Sequence, residues 1–226
     1  MSENKKRVVL VSASPKVDQD WAVSAFLAKH GETILEDERI TVESIMVRST
    51  LLHHQTEQAF ESLQSADAIV IIFPLYFFCM PAMLTRFLQD FAAKYPSCKN
   101  PSSVYAIVNC GFPEPEINQE AMRVIEQFSI QTGRSCGGGV MIGGGGMVIA
   151  AKDAPFMRPI FEQIDGLLAR VKQNAISDQQ AESRIASVAP KFPKFLYFIG
   201  GNAGWKSMAR KNHLRPKELY RKPYNL

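Results

Sequence analysis

The 226-residue chain predicts a doubly wound α/β fold: a five-stranded parallel sheet in the order 2-1-3-4-5, covered by helices on both faces and followed by a basic helical C-terminal extension. Three observations carry that reading. Short apolar runs alternate with segments of helical spacing, which is the pattern of βαβ units. The run AIVIIF, residues 68–73, is apolar without alternation, as expected of a strand buried on both faces. Hydrophobic residues make up 46% of the chain and charged residues 21%, enough for a core and too balanced for disorder, collagen or coiled coil.

The elements follow in order. RVVLVS, residues 7–12, is the first strand, and WAVSAFLAKH, residues 21–30, spaces Trp21, Ala25 and Ala28 as a helix does. Residues 40–47 form a second strand, and His53 to Leu63 a helix returning to the sheet. Residues 67–73 are the third strand, 83–93 a helix, 104–109 the fourth strand and 116–131 a helix. Residues 139–142 complete the sheet and 156–172 the last covering helix. The domain therefore spans 1–177, and 178–226 is the extension, expected to pack on it.

Net charge is +4, but residues 191–226 hold nine Lys or Arg against one acid, so +8 resides there and −4 in the first 190. Basicity is local. Cys79, Cys98, Cys110 and Cys136 show neither C-x-x-C spacing nor clustered histidines, which fits reduced cytoplasmic thiols better than disulfides or a zinc site. The apolar stretch after MSENKKR is too short for a secretory signal. Residues 68–84 carry no charge over 17 positions, close to the roughly 20 needed to span a bilayer. Pro74 and Pro81 interrupt them, so a strand, a loop and a helix start are expected instead of a membrane span.

In open parallel sheets ligands settle beyond the carboxyl ends of the strands, where the strand order reverses. Three loops matter. The first, SASPKVDQDWAVS at 12–24, joins a strand to a helix whose N-terminal amides favour an anion. Ser12, Ser14 and Ser24 would donate to a phosphate, with Lys16 at the rim. Equally, it reads as a serine-rich turn capped by Asp18 or Asp20. The second, PLYFFCMPAML at 74–84, offers Tyr76, Phe77 and Phe78 either as a shelf for a flat ligand or as filling for the core or a dimer contact. The third, NCGFPEPE at 109–116, turns at Gly111, and the amides of Cys110, Gly111 and Phe112 would meet the polar edge of a planar ring.

These segments, together with ADAIVIIFPLYFFCMPAMLTRFLQD, AIVNCGFPE and the glycine-rich GGGVMIGGGGM, resemble the NADPH-dependent FMN reductase family of flavodoxin-like oxidoreductases over about residues 7–170. The resemblance implies FMN as cofactor. Its phosphate would lie on Ser12, Ser14, Lys16, Val23 and Ser24. Its ring system would meet Pro74, Leu75, Tyr76 and Phe77 from one loop, and Asn109, Cys110, Gly111 and Phe112 from the other. Members commonly carry glycine where Ala13 stands and arginine where Lys16 stands, and the first loop here is longer and more acidic. Tryptophan and small residues are common at the positions of Phe77 and Phe78.

The implied activity is transfer of electrons from NAD(P)H to a flavin, quinone or other small acceptor. The cofactor does the chemistry, so no protein group is expected in a catalytic role. Homodimers are common in the family. The alternatives are a flavodoxin-type electron carrier without a nicotinamide site and a binding module that has lost FMN.

Other patterns have plainer readings. GRSCG at 133–137 matches a nucleophile elbow by letter but follows a helix and precedes a strand. Adjacent His53 and His54 cannot share a helix face as metal ligands. The glycines between 137 and 146 read as close packing or a flexible loop. The basic tail carries no nucleic-acid motif; it reads as a surface packing on acidic parts of the same fold, a patch for anionic membrane or nucleic acid, or a charge source near the NADPH phosphate, with a solvated face carrying hydrophobic anchors the favoured form.

Overall fold

A computed structural model of the chain describes residues 5–16, 21–177, 181–191 and 193–222. Six strands form one sheet: β1 (Lys6–Ser12), β2 (Ile40–Met46), β3 (Ala68–Pro74), β4 (Ser103–Asn109), β5 (Ser135–Ile142) and β6 (Arg184–Val188). Their order is β2-β1-β3-β4-β5-β6, and every pairing is parallel. The expected five-strand order is thus extended by one strand at its edge. Residues 184–188, read as part of the extension, supply it. As an edge strand β6 leaves Arg184, Ile185 and Ser187 exposed, so its sequence lacks the unbroken apolar run of β3.

Alternate residues of the central strands enter two separate cores. Val8, Leu10, Val70, Ile72 and Ile107 face α1 (Val23–Leu35) and α6 (Arg158–Ser177). Val9, Val11, Ile71, Phe73 and Val108 face the other side, covered by α3 (Thr56–Gln64), α4 (Ala82–Lys94) and α5 (Gln119–Gln131). There Phe60 meets Phe87 and Phe91 edge to face, with centroids 5.0 and 5.4 Å apart.

The helix expected from His53 to Leu63 is α3, which runs from Thr56 to Gln64. A short one, α2 (Val47–Leu52), ends before it. His54 takes φ 55°, and the N–H groups of His54 and Gln55 donate to the carbonyls of Leu51 and Thr50, a Schellman stop with histidine in place of glycine. Residues 68–84 divide into β3, a turn and the start of α4, and no helix among the described residues is long and apolar enough to cross a membrane. Ser135 opens β5 directly after α5, the reverse of a nucleophile elbow.

The chain divides into two compact units, Met1–Pro190 and Lys191–Leu226. The second contains α7 (Lys194–Lys211) and a 3-10 turn, Pro216–Tyr220.

Candidate functional site at the strand tips

The carboxyl ends of β1, β3 and β4 lie side by side because Ser12 is in register with Ile72, and Pro74 with Asn109. At the first tip Ser12, Ser14 and Ser24 are all buried, and the hydroxyls of Ser12 and Ser24 stand 3.3 Å apart. Ser24 sits in the first turn of α1, whose N-cap is Ala22, and no side chain among the described residues caps that end. Asp18 and Asp20, read as alternative caps, lie outside the described residues. The hydroxyls of Ser12 and Ser24 thus lie at the positive end of a helix dipole, and Val23 is its first helical residue. The backbone N–H of Lys16 donates to Ser14 Oγ at 3.2 Å, and its ammonium donates to the Trp21 carbonyl at 2.9 Å, tying the two ends of the loop together.

At the second tip the chain makes a two-residue hairpin. Tyr76 and Cys79 exchange N–H···O bonds of 2.7 and 2.9 Å, and the central Phe77 and Phe78 have φ of 46° and 61°. Such turns ordinarily hold asparagine and glycine, since each bulky side chain there costs about 1–2 kcal/mol. Phe77 is 99% exposed, so nothing packed against it offsets that cost. Phe77→Asn is expected to raise stability by about 1 kcal/mol, seen as a melting temperature higher by about 2–4 °C; a lower melting temperature would contradict the strain. Pro74 ends β3, and the N–H of Leu75 donates to the carbonyl of Asn109 at 2.7 Å, joining the second loop to the third.

Phe78 spans the same gap with its side chain. Its ring stacks on that of Phe112, 17° from parallel with centroids 6.1 Å apart, and both remain substantially exposed. The sequence shows both rings but not the contact between them, because 34 positions separate the two along the chain.

The third tip departs from expectation at Cys110. Its N–H donates to the carbonyl of Ile142 at 2.9 Å, continuing the β4–β5 ladder, so that amide is not available to a ring edge. The Cys110 side chain is buried against Asn118, whose Nδ2 stands 3.5 Å from Sγ and also donates to Pro115 and Ile142 carbonyls. Burial pushes the Cys110 thiol above its ordinary pKa, which keeps it protonated and poorly nucleophilic. Asn118 therefore shapes this loop without having been expected to. Gly111 and Phe112 project outward from it.

Asn109 is buried at the end of β4, and its Oδ1 has no hydrogen-bond partner among the described residues. A buried orphan acceptor costs free energy unless something completes it. The chain leaving β5 closes over this side chain. Gly145 donates its N–H to the Cys110 carbonyl at 2.7 Å, and a Cβ on Gly145 would lie 2.7 Å from Asn109 Nδ2. Gly143 and Gly145 are thus close packing around the third tip, whereas a Cβ on Gly146 would meet nothing within 4 Å.

Residues 6–99 match the model of a family described as having a flavodoxin-like fold. The fold is flavodoxin-like. Solved structures share it. An azoreductase from Bacillus anthracis strain Sterne aligns at 15% identity with a TM-score of 0.52, over 76% of this chain and 99% of its own. The apo form of an NADH:FMN oxidoreductase aligns at 14% and 0.53, over 75% and 90%. An oxidoreductase from Corynebacterium diphtheriae aligns at 11% and 0.57, over 78% and 100%. No curated protein matches the chain. At these identities the likeness is one of fold, and it is consistent with the FMN reductase resemblance of the strand-tip motifs. In this flavodoxin-like sheet, Ser12 and Ser24 meet at one tip, and loops two and three meet through Leu75–Asn109 and Phe78–Phe112.

Proposed function

We propose that the chain binds FMN across the tips of β1, β3 and β4 and uses it to pass electrons from NAD(P)H to a small acceptor such as a flavin or quinone. The observation that carries the reading is the set of buried serines at the N-terminal end of α1, together with a buried amide oxygen that lacks a partner among the described residues and a solvent-facing aromatic pair. These groups fit the cofactor's parts. Ser12, Ser14 and Ser24 supply donors for a phosphate, with the dipole of α1 behind them. Leu75, Tyr76, Phe77 and Phe112 offer apolar surface to a flat ring, and Gly111 leaves room for close approach, since a Cβ there would meet nothing within 4 Å. Asn109 Oδ1 would gain a donor. That an azoreductase and an NADH:FMN oxidoreductase share this fold supports the same class of activity.

Bound FMN supplies hydride acceptance and electron release. The chain's own residues then bind, orient and exclude water: the serines fix one end, and the hairpin and third loop fix the plane. The strain in the Phe77–Phe78 turn holds these rings at the site where a regular turn would carry small residues.

The test is anaerobic stopped-flow mixing of the FMN-loaded protein with NADPH and, separately, NADH. Loss of the flavin's visible band with at least one of them, and its return when a quinone is added, is the expected result. A bound flavin that neither nicotinamide reduces would make the protein an electron carrier instead.

A further inference from the structure

We infer that the C-terminal unit is a membrane-surface anchor that lies on anionic lipid. The argument rests on its own residues and is independent of the flavin reading. Helix α7 is divided along its length: KFLYFI at its start is almost wholly apolar, and after three glycines and Trp205 its end carries Lys206, Arg210 and Lys211. The 3-10 turn and the segment around it add Arg215, Lys217, Arg221 and Lys222. The one acidic side chain among residues 191–226, Glu218, is engaged locally, accepting the N–H of Arg215 at 2.6 Å.

The apolar residues are not buried. Phe195, Phe198, Ile199 and Trp205 each expose more than half of their surface, and Leu196 and Met208 are exposed as well. Phe198 and Trp205, seven positions apart, lie on one side of the helix, and Leu196 lies on the opposite side. Gly200, Gly201 and Gly204 are not there to admit a neighbour, since a Cβ on any of them would meet nothing within 4 Å. They weaken the helix as a free-standing element, so a surface that orders it is favoured.

An anionic partner is required by the charge. Among anionic partners the side chains discriminate. A nucleic acid takes aromatic rings by stacking but has little use for exposed Leu, Ile and Met. The headgroup and acyl boundary of a bilayer accepts all of these, with Trp at the interface and Lys or Arg on the phosphates. The helix lies on such a surface instead of crossing it, because it is not apolar enough over its length to span.

The test uses the full chain carrying Trp21→Phe, which leaves Trp205 as its one tryptophan. It is mixed with vesicles of phosphatidylcholine alone and with vesicles containing phosphatidylglycerol, and read by flotation and by tryptophan emission. Expected are flotation with the anionic vesicles alone, a blue shift of Trp205 emission, and loss of both as salt is raised. Phe198→Asp with Ile199→Asp should abolish the shift, and Lys206→Gln with Arg210→Gln and Lys211→Gln should weaken binding by about tenfold or more. Flotation without a shift, equal binding to neutral vesicles, or tight RNA binding without vesicle binding would overturn the inference. So would a soluble dimer that dissociates in the Phe198→Asp, Ile199→Asp variant and ignores vesicles.

Discussion

Ser14→Asp is expected to raise the dissociation constant for FMN about 100-fold. A carboxylate placed in the serine cradle stands within a few ångströms of the bound phosphate. At an effective dielectric near 20 the repulsion between two such charges amounts to about 3 kcal/mol. Folding should survive, because a carboxylate can still accept the Lys16 N–H that Ser14 Oγ accepts now. The check is a titration of flavin fluorescence alongside a thermal melt. An unchanged affinity in a folded variant would move the phosphate away from the first tip.

The largest expected effect on stability comes from Gly139→Ala. Gly139 pairs with Ala106 across β4 and β5, where the register shifts between Val104 and Ala106. A Cβ at this position would lie 2.0 Å from the Ala106 carbonyl oxygen. The obstacle is backbone, which cannot rotate aside, so two central strands must separate locally. A loss of about 3 kcal/mol or more is expected, equivalent to a melting temperature lower by about 6–12 °C for a domain of this size. Gly146→Ala is the control, since a Cβ there would meet nothing within 4 Å. Equal melting temperatures for the two variants would show that the close approach is not needed.

Much of this architecture is legible in the chain because the strong signals are local. The apolar runs of β1, β3 and β4 identify central strands by continuity alone, and the helices between them show their buried stripes. What escapes is whatever lacks a local signature. β6 is short and half exposed, so its residues look like linker. His54 stops a helix from a conformation that its residue type does not announce. The Phe77–Phe78 turn hides for the same reason, since a left-handed pair of phenylalanines contradicts the usual turn chemistry.

At the site, sequence reasoning finds which loops matter but not how their atoms are spent. Ser12, Ser14 and Ser24 are all buried at the first tip, and the hydroxyls of Ser12 and Ser24 stand 3.3 Å apart. Cys110 looks like a free loop amide in the sequence, whereas strand pairing beyond Asn109 engages its N–H and burial takes its side chain. Asn118, Gly145 and the Phe78–Phe112 stack depend on contacts between residues distant in the chain, which no motif reports.

The most direct measurement is a side-by-side fluorescence titration of the purified protein with FMN and with riboflavin, which lacks the phosphate. The account predicts saturable FMN binding at micromolar concentration or below, with riboflavin weaker by about two orders of magnitude through loss of the charge-assisted bonds to the cradle. Equal affinity for the two flavins, or no binding of FMN, would contradict it.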